Sequence, residues 1–278
     1  MDAAVTTSQR LASGKGHRDE NFPVASLLIK ADYRPPIMAF YRFARAADDI
    51  ADHPSASAEE KLALLARMRS GLDGAGAAEA MALRDAMAAH GIDPVHAHDL
   101  LDAFVRDVTV TRYADWDDLI GYCRLSAMPV GRFVLDVHGE DRALWPANDA
   151  LCAALQIVNH LQDCGKDYRM LDRVYIPLDT GLDIAELKGD RASAALRAII
   201  AGLARRTRDL LDQSEAFSAR IRDRRLAAEV AVIHRLARSL THRLEQRDPL
   251  SERVHHGKAE ALFLAAGAAL PVLLRWPV

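Results

Sequence analysis

The sequence predicts an all-α chain, and three observations carry that reading. Ala and Leu, both strong helix formers, supply most of the 50% apolar content. Period-two alternation of apolar and polar residues is almost absent. Helix caps, N-terminal prolines and apolar spacing of 3.6 residues recur along the chain. Aromatics make up only 6% of the 278 residues, a length that suffices for a packed core.

Residues 1–19 are polar, rich in Ala and Ser, and lack the apolar centre of a signal peptide; they are read as a flexible lead-in. Pro35-Pro36 opens a helix that runs through Ile37, Phe40, Tyr41 and Ala44 to about Asp52, where His53-Pro54 closes it. Ser57 is placed to cap the next helix, with Glu60 completing a capping box. A further helix is expected to end at His90-Gly91, where Gly supplies the left-handed residue. Asp93-Pro94 starts another, which carries Leu101, Phe104 and Val108. Asp115 caps a segment from Trp116 through Val137, which Pro129 should kink or break. A helix over residues 148–168 follows, then a loop over 172–181 that contains Val174-Tyr175-Ile176-Pro177. Long helices over residues 191–218 and 226–247 lead to the most apolar segment, 261–274. That segment is too short to span a bilayer and is interrupted by Pro271. It reads as a core helix, with rest on a membrane surface as the other option. No repeat or linker divides the chain, so residues 1–278 are expected to form one domain of eight to ten helices.

Several function classes are disfavoured. A net charge of −3 and a pI of about 6.4 give no general grip on nucleic acid. The cluster Arg222, Arg224 and Arg225 reads as the wet face of a helix. Cys123, Cys152 and Cys164 form no CxxC and no even set; small packing residues in a reducing cytoplasm fit them. His96/His98 and His255/His256 lack a carboxylate or thiolate partner at metal-site spacing. Gly74-Ala75-Gly76 follows no strand and reads as a link between helices.

The first chemical centre is the run Asp48-Asp49-Ile50-Ala51-Asp52. On a wheel of 100° per residue, Ile37, Tyr41, Ala44, Asp48 and Asp52 share one narrow sector. If that stripe faces the core, two carboxylates roughly 6 Å apart point inward and repel by about 3 kcal/mol at an effective dielectric of about 20. A helix gains no stability from that arrangement, whereas a divalent cation would reverse its sign. Oxygen-only ligands at this spacing suit Mg²⁺, and Arg45, one turn earlier, could meet a phosphate oxygen. The plain alternative is a solvated acidic helix end, against which the helix dipole argues mildly.

The second centre is Gln156, Asn159, Asp163 and Asp167, at i, i+3, i+7 and i+11. They share a sector opposite Ala154, Ile157, Val158 and Leu161, so they could simply be the outer face of an amphipathic helix. Their composition argues otherwise. An outer face mixes Lys, Arg and Glu, whereas this one carries amides followed by carboxylates at the spacing of the first pair. Two such pairs can face each other across a bundle cavity.

Taken together these residues resemble the two signature regions of the squalene and phytoene synthases. They are Asp48-Asp49-Ile50-Ala51-Asp52 preceded by Arg45, and Gln156-x-x-Asn159-x-x-x-Asp163-x-x-x-Asp167 followed by Arg173-Val174-Tyr175-Ile176-Pro177. Asp118-Leu119-Ile120-Gly121-Tyr122-Cys123 resembles the segment between them. Within that family the chain is most similar to the bacterial hopanoid-pathway subgroup, the hydroxysqualene synthases. The residues behind this are Glu20-Asn21-Phe22-Pro23-Val24-Ala25-Ser26, Tyr122-Cys123-Arg124-Leu125-Ser126-Ala127 with Pro129-Val130-Gly131, and Asn159-His160-Leu161-Gln162-Asp163. Most of the wider family has Arg where Gln162 stands. It has Tyr and Val-Ala-Gly where Arg124, Leu125 and Ser126-Ala127-Met128 stand.

The resemblance implies an isoprenoid-synthase-type helical bundle with a central cavity. Asp48, Asp52, Asp163 and Asp167 would hold Mg²⁺, and with Tyr41 and Arg45 would form the catalytic set. Phe22, Arg45, Arg124, Gln156, Asn159, Lys166, Arg173 and Tyr175 would bind the substrate or its diphosphate. Phe22, Tyr41, Phe104, Leu125, Phe133 and Leu155 would wall a dry cavity for a carbocation. The implied reaction is Mg²⁺-dependent carbon–oxygen bond cleavage: presqualene diphosphate ionises and water captures the rearranged cation as hydroxysqualene. One alternative is head-to-head prenyl transfer giving presqualene diphosphate, squalene or phytoene; another is a non-catalytic assembly factor. An apolar product implies hand-off to other squalene or hopanoid enzymes or to a membrane surface, with the protein cytoplasmic or peripheral to the membrane.

Overall fold

A computed structural model describes residues 29–274. The expectations for residues 1–19 and for the motif from Glu20 to Ser26, Phe22 included, lie outside the described residues.

The first helix, α1 (Arg34–Ala51), begins with proline in its first turn, where no backbone donor is missed. Ser57 caps α2 (Ala58–Leu72) in a full capping box with Glu60. Helix α3 (Ala78–His90) ends on Gly91 at φ 64°, the left-handed conformation that glycine adopts without strain. Helix α4 (Val95–Thr109) follows Pro94, and Asp115 caps α5 (Trp116–Ser126). As expected from Pro129, the helix breaks: α5 stops at Ser126 and α6 (Met128–Val137) starts afresh with proline in its first turn. Helix α7 (Trp145–Leu171) is the longest. The segment expected as one helix over 191–218 divides into α8 (Ala194–Gln213) and a single turn, α9 (Phe217–Arg220). Helices α10 (Arg224–Gln246) and α11 (Lys258–Leu273) complete the order. Among the described residues no strand forms, only an isolated bridge between Arg112 and Val174.

Three apolar clusters hold these helices. One joins α1 to α4 with Phe133 and Val137 of α6. A second packs α5 and α7 against α8, α10 and the segment Val174–Ile176. The third joins α6 and the first half of α7 to α8, α9 and α10. Gly131 lets α6 approach α7, because a Cβ there would stand 2.0 Å from Asn148 Oδ1 and 2.6 Å from Cys152 Sγ.

Two expectations are corrected. The segment 261–274 is not a core helix: α11 has no buried residue, and Leu262 and Phe263 are 72% and 79% exposed. Its inner side is Ala261, Leu264, Ala265, Ala268, Ala269 and Val272, all half-buried, so it lies against α10 without sinking any side chain fully. Phe133 is not a cavity wall, because it is fully buried and stacks on Phe40 at 4.2 Å. Phe104, Leu125 and Leu155 are half-buried against the apolar clusters.

Candidate active site

The first aspartate pair lies in the last turn of α1 and just beyond it. The core-facing side of that helix is Phe40, Phe43, Ala47 and Ile50. The stripe of Tyr41, Ala44, Asp48 and Asp52 is turned from that side by roughly 100°, and all four are half-buried. Only Ile37 of the expected stripe enters the core. The bulkier aromatic face won the interior, which leaves the carboxylates at the border of the bundle.

Arg45 lies between acids of its own helix, 2.6 Å from Asp48 Oδ2 and 2.8 Å from Asp49 Oδ1. Asp48 is nevertheless hard to ionise. Burial and the neighbouring Asp52 push its carboxyl up to about 7, against the pull of Arg45.

Asp52 is held from outside its helix. Arg173 Nη1 lies 2.6 Å from Asp52 Oδ1, Nη2 donates to the Ala51 carbonyl at 3.2 Å, and Nε donates to the Asp107 carbonyl at 3.1 Å. The loop that carries Arg173 is zipped to the chain before α5. Val174 N donates to Thr111 O at 2.9 Å and Leu178 N to Tyr113 O at 3.0 Å. Residues 173–177 are buried as a result.

The second pair lies on α7. Gln156, Asn159, Asp163 and Asp167 are half-buried, so this stripe is not a fully solvated face. Asp163 has Lys166 Nζ at 3.5 Å, and Asp167 has His160 Nδ1 at 3.7 Å. Gln156 Nε2 donates to His160 Nε2 at 3.0 Å, so the imidazole proton sits on Nδ1, toward Asp167. His160 also stacks on Tyr175, with centroids 3.4 Å apart and planes 13° off parallel.

The pairs are joined through Asp107, a buried residue of α4. It accepts from Tyr122 at 3.0 Å and from Tyr175 at 3.3 Å. Contacts therefore run from Asp52 through Arg173, the main chain and side chain of Asp107, Tyr175 and His160 to Asp167. Burial pushes the Asp107 carboxyl up to about 6 while Arg173 draws it down. Burial also raises the Tyr122 and Tyr175 phenols well above their ordinary value, so both stay protonated donors. The three cysteines are free, and burial pushes each thiol up to about 12, which leaves no nucleophile.

Several expected ligand-binding residues have protein partners instead. Arg173 and Tyr175 are buried behind the carboxylates, bonded to Asp52 and Asp107. Arg124 is exposed in the last turn of α5. Gln162 is buried and donates to the Val254 carbonyl. Tyr41, Asn159 and Lys166 stay on or beside the two carboxylate faces.

Asp107 and His160 escape a reading of aspartate spacing. A signal for Asp107 existed: it falls on the buried side of α4 with Leu100 and Ala103, and a carboxylate on an apolar helix face needs partners. His160 lies one residue beyond Asn159 and shares the sector of the second pair.

Among the described residues no three Asp, Glu, His or Cys side chains converge as a closed metal set. Each aspartate pair offers two hard oxygen donors, the kind of ligand that Mg²⁺ takes together with water and phosphate oxygens.

Comparison with known proteins adds a separate line. The family described as squalene/phytoene synthase matches residues 16–260. The chain is 59% identical over 267 residues to a hydroxysqualene synthase of Zymomonas mobilis, covering 93% of this chain and 90% of that protein. It is 50% identical over 277 residues to a hydroxysqualene synthase of Rhodopseudomonas palustris, covering 98% and 95%. The structure aligns with squalene synthase HpnC from Alicyclobacillus acidocaldarius at a TM-score of 0.68 and 28% identity, covering 80% of this chain and 87% of that one. A dehydrosqualene synthase aligns at a TM-score of 0.75 and 19% identity, which speaks to the fold alone.

Proposed function

The chain belongs to the squalene/phytoene synthase family, and from that premise we propose that it is a hydroxysqualene synthase. It converts presqualene diphosphate and water to hydroxysqualene and diphosphate, a carbon–oxygen lyase step of squalene and hopanoid formation. The observation that carries this reading is the identity to proteins of that activity over nearly the full chain.

The site chemistry supports it. Asp48, Asp52, Asp163 and Asp167 would hold Mg²⁺, which when bound supplies Lewis-acid stabilisation of the leaving diphosphate. Arg45 sits beside Asp48 and Asp49 and adds positive charge where the diphosphate would lie. Arg173 fixes Asp52 rather than meeting the diphosphate, because its guanidinium already has three protein partners. His160, bonded to Gln156 and facing Asp167, orients the second pair. Asn159 and Lys166 flank that pair and are assigned to the diphosphate. Tyr41, on the stripe of Asp48, is assigned to the substrate side of α1.

The test is incubation of purified protein with presqualene diphosphate and Mg²⁺, followed by product analysis. Hydroxysqualene is the expected product, with activity lost on chelation. Recovery of unreacted substrate alone would sink the reading. Turnover of farnesyl diphosphate in its place would move the protein to the condensing members of the family.

A further inference from the structure

We propose that Ser126 holds the water that captures the carbocation, a role that rests on the hydroxysqualene synthase reading and extends it to the step that makes the product an alcohol. The starting observation is a hydroxyl with no use in the fold. Ser126 is half-buried, yet its Oγ is shut off from solvent and has no hydrogen-bond partner among the described residues. Other helical hydroxyls of the chain donate to a carbonyl one turn back: Thr207 to Leu203 at 2.8 Å, Thr241 to Ala237 at 2.8 Å and Ser70 to Ala66 at 3.2 Å. Ser126 makes no such bond to the Tyr122 carbonyl. A buried polar atom of this kind is met by a water or a ligand.

Its place selects the water. Ser126 lies one turn beyond Tyr122 on the same side of α5, about 6 Å along the helix. Tyr122 marks the carboxylate end: its hydroxyl donates to Asp107, and its ring centroid lies 5.9 Å from that of His160. Two residues after Ser126, the Met128 carbonyl accepts from Asn148 at 3.3 Å. Ser126 is therefore level with the α7 stretch between Asn148 and His160, away from Asp163 and Asp167. The diphosphate belongs at the carboxylates, so the part of the substrate that meets Ser126 is the carbon skeleton. The neighbouring side chains are apolar: Leu125, Ala127 and Met128 on this segment and Cys152 on the facing one. Asn148, the amide of that stretch, is committed to the Met128 carbonyl and the Cys152 thiol.

The step balances without a further reactant. The carbon–oxygen bond of presqualene diphosphate breaks, and both electrons leave with the diphosphate. The cation rearranges, and a water lone pair forms the new carbon–oxygen bond. The proton that the resulting oxonium sheds goes to the departing diphosphate, the base that the reaction itself makes. Ser126 Oγ accepts a hydrogen bond from the water, which turns a water lone pair toward the cation. In an otherwise apolar wall that one acceptor decides whether a water is in place when the cation forms. A cation that meets no water loses a proton instead and ends as an olefin.

The experiment is turnover of presqualene diphosphate with Mg²⁺ by wild type, Ser126→Ala, Ser126→Thr and Ser126→Val, reading diphosphate release and the ratio of alcohol to olefin. In Ser126→Ala and Ser126→Val the ratio should fall about tenfold, the scale of one lost hydrogen bond, while diphosphate release falls far less. Ser126→Thr, which differs from Ser126→Val by a hydroxyl in place of a methyl, should keep most of the wild-type ratio. Wild type that makes alcohol, with a Ser126→Ala or Ser126→Val ratio equal to its own, overturns the proposal alone. So does an equal fall in the Thr and Val variants, which would make Ser126 a matter of packing. So does a loss of diphosphate release that matches the loss of alcohol with no olefin, which would place Ser126 in the ionisation step. Wild type that makes no alcohol overturns the reading of function, and the proposal with it.

Discussion

The two aspartate pairs share a spacing and differ in what holds them. Asp48 and Asp52 each meet a guanidinium at 2.6 Å, and the Arg173 side of that arrangement is buried and bonded to two further carbonyls. Among the described residues, the ion-pair partners of Asp163 and Asp167 are an exposed lysine at 3.5 Å and an imidazole at 3.7 Å. The first pair is built into the fold, with its repulsion offset from within. The second is oriented but little neutralised. Removing partners should therefore cost stability at the first pair, whereas supplying a cation should matter most at the second.

The largest expected effect separates chemistry from stability. Asp48→Asn and Asp163→Asn should each lower turnover by about 10³-fold, the scale of losing one preorganised charged group. Their melting temperatures should diverge. Asp48 resists ionisation, so Asp48→Asn should stabilise the free protein near pH 8. Asp163 is more open, so Asp163→Asn should stay within about 0.5 kcal/mol of wild type. Diphosphate release and circular-dichroism melts read the two quantities. A collapse of helicity in Asp163→Asn would break the comparison.

Next comes the ion pair behind the first centre. Arg173→Met leaves the half-buried Asp52 without its cation and the Ala51 and Asp107 carbonyls without their donor, and should cost roughly 1–3 kcal/mol in urea unfolding. Lys166→Met, the matching change at the second pair, should cost less than about 0.5 kcal/mol. Equal losses would mean that the pairs are held alike.

The contrast was only partly legible in the sequence. Helix order, the capping box at Ser57, the break before Pro129 and both aspartate spacings follow from local rules, and local rules are what a sequence displays. Asp107 was not found because its partners, Tyr122 and Tyr175, lie 15 and 68 residues away, and only the packed fold brings them together. Arg173 looked like a free cation for a phosphate for the same reason. The residue that it serves, Asp52, is 121 positions distant. The C-terminal helix has the composition of a core, yet a single neighbour, α10, covers its Ala261, Leu264, Ala265, Ala268, Ala269 and Val272 only in part, and composition does not show how many neighbours a helix has.

A third prediction probes the junction between the pairs. The Asp107 carboxyl lies near 6 in the folded protein and 3.8 in its absence, so the folded state binds the proton more tightly. The stability that this contributes is fully present below about pH 4 and is lost as pH rises through about 6, up to roughly 3 kcal/mol. Asp107→Asn keeps an acceptor for the tyrosines and removes the titration. Its unfolding free energy should fall less than that of wild type between pH 4 and pH 7, measured by urea titration across that range. Parallel curves for the two proteins would show that Asp107 does not join the pairs electrostatically.

The last prediction supplies what the second pair lacks. Mg²⁺ with pyrophosphate, each at a hundredfold excess over Kd, should stabilise the protein by about 2.7 kcal/mol through binding to the folded state alone. Pyrophosphate without Mg²⁺ should do little, because four carboxylates repel it. Mg²⁺ without pyrophosphate should also do little, because no three side chains among the described residues close around an ion. The variants then sharpen the contrast. Asp163→Asn should lose the shift while keeping the melting temperature of the free protein, since among the described residues that carboxylate has one ion pair, the 3.5 Å contact with the exposed Lys166. Arg173→Met should start lower and regain part of its deficit on binding, because Mg²⁺ offsets the charge that Arg173 no longer meets. A thermal shift of full size in Asp163→Asn would place the ion on the first pair alone, and the second pair would revert to the polar edge of a helix.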